Sequence, residues 1–108
     1  HAEETFGVFH ANPERIELWL DPILETYVND HPLHPSQRVK VQENGLQVRF
    51  KVGINESLVS RIMGFGAMAR VLSPDRLAIL VMEKHRKAFE NYETPTPISS
   101  ESLPLVFE

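Results

Sequence analysis

The chain contains no cysteine. That absence excludes disulfide frameworks, thiolate metal sites and cysteine nucleophiles together, and it fits an intracellular chain. No apolar run approaches the roughly 20 residues a membrane span needs. The opening residues His1-Ala2-Glu3-Glu4-Thr5-Phe6-Gly7 lack the basic end and apolar stretch of a signal peptide, and they read as internal to a longer protein. There is no excess of positive charge either. A net charge of -4 argues against a domain whose main task is gripping phosphate backbones. What remains is 108 residues, 42% hydrophobic and 24% charged, which supplies one core and excludes wholesale disorder.

Residues 1–14 show no sustained period and read as a lead-in. Over residues 15–20 apolar and polar residues alternate, with Ile16, Leu18 and Leu20 facing one way and Glu17 and Trp19 the other. This is the pattern of a half-buried strand. Asp21-Pro22 predicts a helix start, and Ile23, Leu24, Tyr27 and Val28 give that helix an apolar stripe ending before Pro32 and Pro35. Residues 37–43 and 46–52 flank Asn44-Gly45, the preferred pair for a type I′ turn because both central residues need positive φ. That loop pairs Val41 with Val48 and Val39 with Phe50 on the core face. On the opposite face it pairs Gln42 with Gln47, Lys40 with Arg49 and Arg38 with Lys51. A second helix over residues 55–63 is capped by Asn55, buries Leu58, Val59, Ile62 and Met63, and is ended by Gly64-Phe65-Gly66. A strand over 67–72 follows. Ser73-Pro74-Asp75 then repeats the capping pattern, with an acidic residue in the first turn, and opens a last helix to about Tyr92, with Leu77, Ala78, Val81, Met82, Ala88 and Phe89 as its buried set. Residues 94–108, rich in proline and serine, read as a flexible tail whose Leu103, Leu105, Val106 and Phe107 are available for docking.

The resulting order is β-α-β-β-α-β plus an extra C-terminal helix, an α+β fold of the ferredoxin-like type spanning 15–93. Three landmarks stand along it: Phe6-Gly7-Val8-Phe9, then His34-Pro35-Ser36-Gln37 entering the hairpin, then Gly64-Phe65-Gly66 with Val71-Leu72-Ser73-Pro74 before the last helix. In this order they resemble the C-terminal extension (WCX) domain of bacterial WYL-domain transcriptional regulators, over roughly residues 6–92. The resemblance implies a larger cytoplasmic regulator with a DNA-binding domain and a WYL core ahead of this segment. It also implies a module that helps form homodimers and takes part in sensing a ligand such as single-stranded DNA or a nucleotide. No Trp-Tyr-Leu tripeptide occurs here, and the tail after Tyr92 lies outside the pattern.

The outward hairpin face carries Arg38, Lys40, Arg49 and Lys51. Like charges directly opposite cost about a few tenths of a kcal/mol per pair, so an acidic neighbour such as Glu17, an anionic ligand or an acidic partner surface is expected to offset them. A merely solvated cationic face is the plain alternative. Trp19 shares that face, with Met68, Arg70 and Leu72 of the last strand, and this apolar half reads as a protein interface. RNA recognition of the RRM type would need aromatic residues on the third strand, where Gln47, Arg49 and Lys51 stand.

Other patterns carry less. His31 and His34 offer two metal ligands where zinc needs a third from the protein. Ser36 beside His34 lacks the nucleophile elbow and an orienting acid. Gly64 to Ala69 matches the letters of the dinucleotide fingerprint, but it follows a helix and opens a strand, the reverse of what that site requires. Lys84-His85-Arg86-Lys87 reads as cations meeting a helix C-terminus. Leu77-Ala78-Ile79-Leu80-Val81-Met82 is apolar around nearly the whole helix and needs cover on two sides. Neither a catalytic set, a metal site nor a cofactor is expected, so the chain reads as a non-catalytic dimerising and ligand-coupling module. The alternative is a stand-alone small-molecule sensor of ferredoxin-like type, binding an anionic ligand between subunits.

Overall fold

The computed structural model describes residues 12–94. The Phe6–Phe9 landmark, most of the lead-in and the tail from residue 95 onward lie outside that range. The described chain is α+β, a four-stranded antiparallel sheet with three helices. Strand β1 (Glu14–Leu20) leads through a 3-10 turn (Pro22–Leu24) into α1 (Glu25–Asp30). Strands β2 (Arg38–Gln42) and β3 (Gly45–Val52) form the hairpin, followed by α2 (Glu56–Gly64), a 3-10 turn (Gly66–Met68), β4 (Ala69–Ser73) and α3 (Asp75–Glu93). Across the sheet the strands run β2-β3-β1-β4.

The alternation expected on β1 places Ile16, Leu18 and Leu20 in full burial. They pack with Leu46, Val48 and Phe50 of β3 and with Val28, Leu58, Val59, Ile62, Leu77 and Val81 from the helices. All three helices contribute to that one face. The opposite face keeps its side chains at or near solvent. Asp21 caps the first turn, its carboxylate accepting from the Ile23 N–H at 3.0 Å, with Pro22 at the first helical position. Asn55 caps α2 in the same way, accepting from Leu58 N–H at 2.8 Å.

The hairpin register differs from the expectation by two residues. Arg38 pairs with Arg49, Val39 with Val48, Lys40 with Gln47, Val41 with Leu46 and Gln42 with Gly45. The loop is therefore Glu43-Asn44. Among the described residues none but glycine has positive φ, which excludes a type I′ turn through Asn44. The cause lies in the neighbouring strand. Gly45, at φ +146°, packs under Trp19, and a Cβ there would meet Trp19 Nε1 at 2.2 Å and the Leu20 carbonyl at 2.8 Å. Trp19 Nε1 donates to the Asn44 carbonyl at 2.8 Å. Gly45 is consumed by close approach to β1, so the reversal moves one residue earlier. A shift of two residues keeps every side chain on its face, and the charge pattern survives while the partners change.

Five further expectations are corrected. Val41 is exposed, near the turn end of β2, which is an edge strand of the sheet. In α1 only Val28 is buried, and Ile23 and Tyr27 are exposed. Gly64 lies inside α2, and the reversal falls on Gly66 at φ +61°, so β4 starts two residues later than expected. Helix α3 has no side-chain cap: Pro74 stands at its N-cap position and its carbonyl accepts from Leu77 and Ala78. Met82, Ala88 and Phe89 are exposed rather than buried, because only the stripe of Leu77 and Val81 meets the core.

Candidate functional site: the outer sheet face

Because β1, β2 and β3 alternate strictly, the strand pairings dictate which side chains meet on the outer face. Lys51 stands beside Arg15, and Arg49 stands between Arg38 and Glu17. Gln47 lies between Lys40 and Trp19, and Trp19 is followed by Arg70 of β4. Among the described residues this face carries Arg15, Arg38, Lys40, Arg49, Lys51 and Arg70 against one acidic side chain, Glu17, on a chain whose net charge is -4. At one end a shallow cleft of about 390 Å³ is lined by Arg15, Ser36, Arg38, Arg49 and Lys51. Glu17 reaches Arg49 at 3.7 Å between carboxylate and Nε, the acidic neighbour expected for this patch. Arg38 donates to the Gln37 carbonyl at 3.2 Å. Both arginines stay exposed, with guanidinium donors free to meet an anion in a bidentate fashion.

Of the four cations expected here, Arg38, Arg49 and Lys51 gather at the cleft. Lys40 sits one row away, beside Gln47. Arg15 takes the fourth place and was read only as the start of a strand. Its parity with Glu17 and Trp19 already put it on this face, but its nearness to Lys51 follows from the β1–β3 register.

The expected interface residues divide. Trp19, Arg70 and Leu72 line a second cleft with Ala67 and Ala69. Met68 does not join them. It ends the 3-10 turn, where its carbonyl accepts from Asp21 N–H at 2.9 Å, and its side chain lines a separate hollow with Leu24, Tyr27, Arg61 and Phe65. A strand parity argument fails there because the strand has not yet begun.

The His34-Pro35-Ser36-Gln37 stretch acts as a staple beside the cationic cleft. The Ser36 hydroxyl accepts from Lys51 N–H at 2.9 Å, and the Ser36 N–H donates to His34 Nδ1 at 3.1 Å. The amide of Gln37 accepts from Leu33 N–H at 2.9 Å and donates to the Val28 carbonyl at 3.0 Å. These bonds tie the loop to α1 and to the end of β3. Arg61, unremarked in the sequence, completes the staple by donating to the carbonyls of His31 (3.1 Å) and Pro32 (3.2 Å). Phe65 of the Gly64-Phe65-Gly66 landmark is buried and meets Tyr27 edge-on at 6.1 Å between ring centroids.

The basic run Lys84–Lys87 is not at a helix end, since α3 continues to Glu93 and its last turn holds no basic residue. Arg86 instead pairs with Glu83, at 2.6 Å, and with Glu90, and hydrogen bonding to Arg86 lowers the Glu83 pKa. Among the described residues no three histidine, aspartate or glutamate side chains converge as metal ligands, and no helix is long and apolar enough to cross a membrane.

No curated protein shows significant similarity to the chain. The family model of the WCX domain matches residues 12–89, covering β1 through most of α3. The chain belongs to the WCX domain family, the C-terminal extension that serves as a regulatory module of bacterial WYL-type transcriptional regulators.

Proposed function

We propose that this domain is a non-catalytic module that receives an anionic ligand on its outer sheet face and couples it to self-association of a cytoplasmic WYL regulator. The observation that carries this reading is the gathering of Arg15, Arg38, Arg49 and Lys51 around one cleft, with Glu17 the single acidic neighbour among the described residues. Directly opposed Arg38 and Arg49 are a standing cost to the free domain, and an anion between them relieves it. The ligand class that fits is phosphate-bearing, a nucleotide or a single-stranded DNA segment, with Trp19 available to stack on a base. We read the fold as ferredoxin-like, a reading supported by the antiparallel four-stranded sheet with helices packed on one face.

Trp19, the single tryptophan, lies four residues from Arg15 on β1, about 14 Å along the strand, and serves as an internal reporter. Titration with a short single-stranded oligonucleotide should change its emission saturably, with affinity falling steeply as salt rises. The double variant R49E/K51E should weaken binding by at least about tenfold, and Arg15→Glu should do the same, because each replaces a charge-assisted contact by repulsion. Affinity unchanged in R49E/K51E would remove this cleft from the function.

A further inference from the structure

Strand β4 is paired on one side only. Its partner is β1, and in the strand order β2-β3-β1-β4 its far edge meets no other strand among the described residues. The Met68 carbonyl accepts from the Asp21 N–H just after β1. The alternation of the ladder therefore turns the backbone groups of Arg70 toward β1 and those of Ala69 and Val71 outward. Such an edge is a template for a further strand unless charge, proline or cover blunts it. The opposite edge strand, β2, carries Arg38 and Lys40 on five residues. Strand β4 carries Arg70 alone, and clefts flank it on both faces of the sheet. On the outer face Trp19, Ala67 and Leu72 border one of about 500 Å³. On the helix face Val71, Ile79 and Met82 border another of about 380 Å³. Arg70 lines both and His85 the second, and no acidic residue lines either. Leu72, Ile79 and Met82 stand 44%, 54% and 60% exposed. An unpaired edge with apolar hollows on both faces suits an added strand, whose side chains alternate between those faces.

We propose that the β4 edge takes a fifth strand, and that this strand is residues 103–107 of the same chain, laid parallel to β4. Topology favours it. Strands β3 and β4 both run antiparallel to β1, and α2 crosses between them on the face that all the helices share. A strand that follows α3 and lies outside β4 repeats that crossover in direction, face and hand, the right-handed form such connections adopt. Length permits it. His85 borders the cleft beside Ala69 and Arg70, and α3 ends at Glu93, eight residues or about 12 Å further on. Nine residues separate Glu93 from Leu103, a reach of about 30 Å, enough to return to the start of β4. Pro104 sets the register. With Leu105 beside Arg70, Leu105 donates to the Ala69 carbonyl and accepts from the Val71 N–H, while Pro104, which has no donor, turns its backbone to solvent. Leu105 and Phe107 then join Trp19 and Leu72 on the outer face, and Val106 joins Ile79 and Met82 on the other. Charge agrees as well. The segment is bounded by Glu101 and Glu108 and holds no basic residue, which complements Arg70 and His85.

Amide hydrogen exchange on the full chain reads this pairing directly. The Val71 N–H should exchange slowly in the parent, and Leu105→Pro should speed it by at least about tenfold. Ser99→Pro, in the connecting residues, should leave it unchanged. The Leu18 N–H, inside the sheet, should stay protected in both variants, which separates loss of the added strand from loss of the fold. Because the chain has no cysteine, the register is tested by L72C/F107C. These positions stand opposite one another on the outer face, within disulfide reach, so mild oxidation should give an internally crosslinked monomer. L72C/V106C, whose second thiol lies on the other face, should not crosslink. A Val71 N–H that exchanges equally fast in the parent and in Leu105→Pro overturns the inference, and so does equal crosslinking of the two cysteine pairs. A covalent dimer as the main product would put the strand on a second copy of the chain, and that also overturns it.

Discussion

Gly45 carries more of this fold than its size implies. It stands in β3 at φ +146°, where L side chains are strained, and the space a Cβ needs is taken by the indole of Trp19. The Trp19 N–H in turn holds the Asn44 carbonyl, so one glycine and one tryptophan together determine where the hairpin reverses. Gly45→Ala must strain the backbone and push the indole aside, and should cost about 2 kcal/mol or more of stability. Denaturant titration measures that loss, and a shifted Trp19 emission should accompany it. An alanine variant as stable as the parent would mean that β3 slides to another register at no cost. The Asn-Gly pair announced a tight turn correctly but not its position. Its glycine was claimed by a neighbour 26 residues earlier in the chain, which a local motif does not report.

Among the elements, α2 is the one most completely written in the chain. Asn55 supplies the cap, Glu56 sits in the first turn, and Leu58, Val59 and Ile62 make the buried stripe. Asn55→Ala removes an acceptor from the Leu58 N–H and should lower stability by about 1 kcal/mol, while Asn55→Asp should retain most of it. Thermal melts of the two variants decide this, and equal losses would show that the cap bond is not the cause. Helix α3 was legible as a helix and misread in its burial. Its apolar residues form two stripes, and periodicity alone does not say which one meets the sheet. Leu77 and Val81 were assigned correctly, whereas Met82 and Phe89 belong to the second stripe.

At the scale of the whole molecule, the start of β1 is tied to the start of α3 by the Glu14–Arg76 pair, which joins residues 62 apart with Nη1 to Oε1 at 2.9 Å. The hydrogen bond from Arg76 holds the Glu14 carboxyl below the usual carboxylate range. A depressed folded-state pKa means that the unfolded chain takes up this proton first as pH falls. The pair's contribution is therefore complete above the ordinary carboxylate pKa and vanishes once pH drops through the folded value. Stability of the parent and of Glu14→Gln should differ at neutral pH by the modest amount typical of an exposed pair, and converge in acid. A gap that persists undiminished at low pH would assign the effect to packing instead. The same scale governs the outer face. Strand alternation puts cations on it, but only the four-stranded register brings Arg15 from β1 to Lys51 from β3, and Arg38 to Arg49.

The amino-acid order by itself determined the element types, the inward faces of β1 and β3, the caps at Asp21 and Asn55, and the family landmarks around His34 and Phe65. Each of these depends on residues within a few positions of one another, where turn chemistry and period-two or helical alternation act directly. Only the tertiary structure decided the hairpin register, the replacement of Lys40 by Arg15 at the cationic cleft, the separation of Met68 from Trp19, and which stripe of α3 is left uncovered. Those depend on distant strands and helices competing for the same space, and a slip of two residues, or a turn in place of a strand's first residues, leaves the local pattern unchanged while altering every partner.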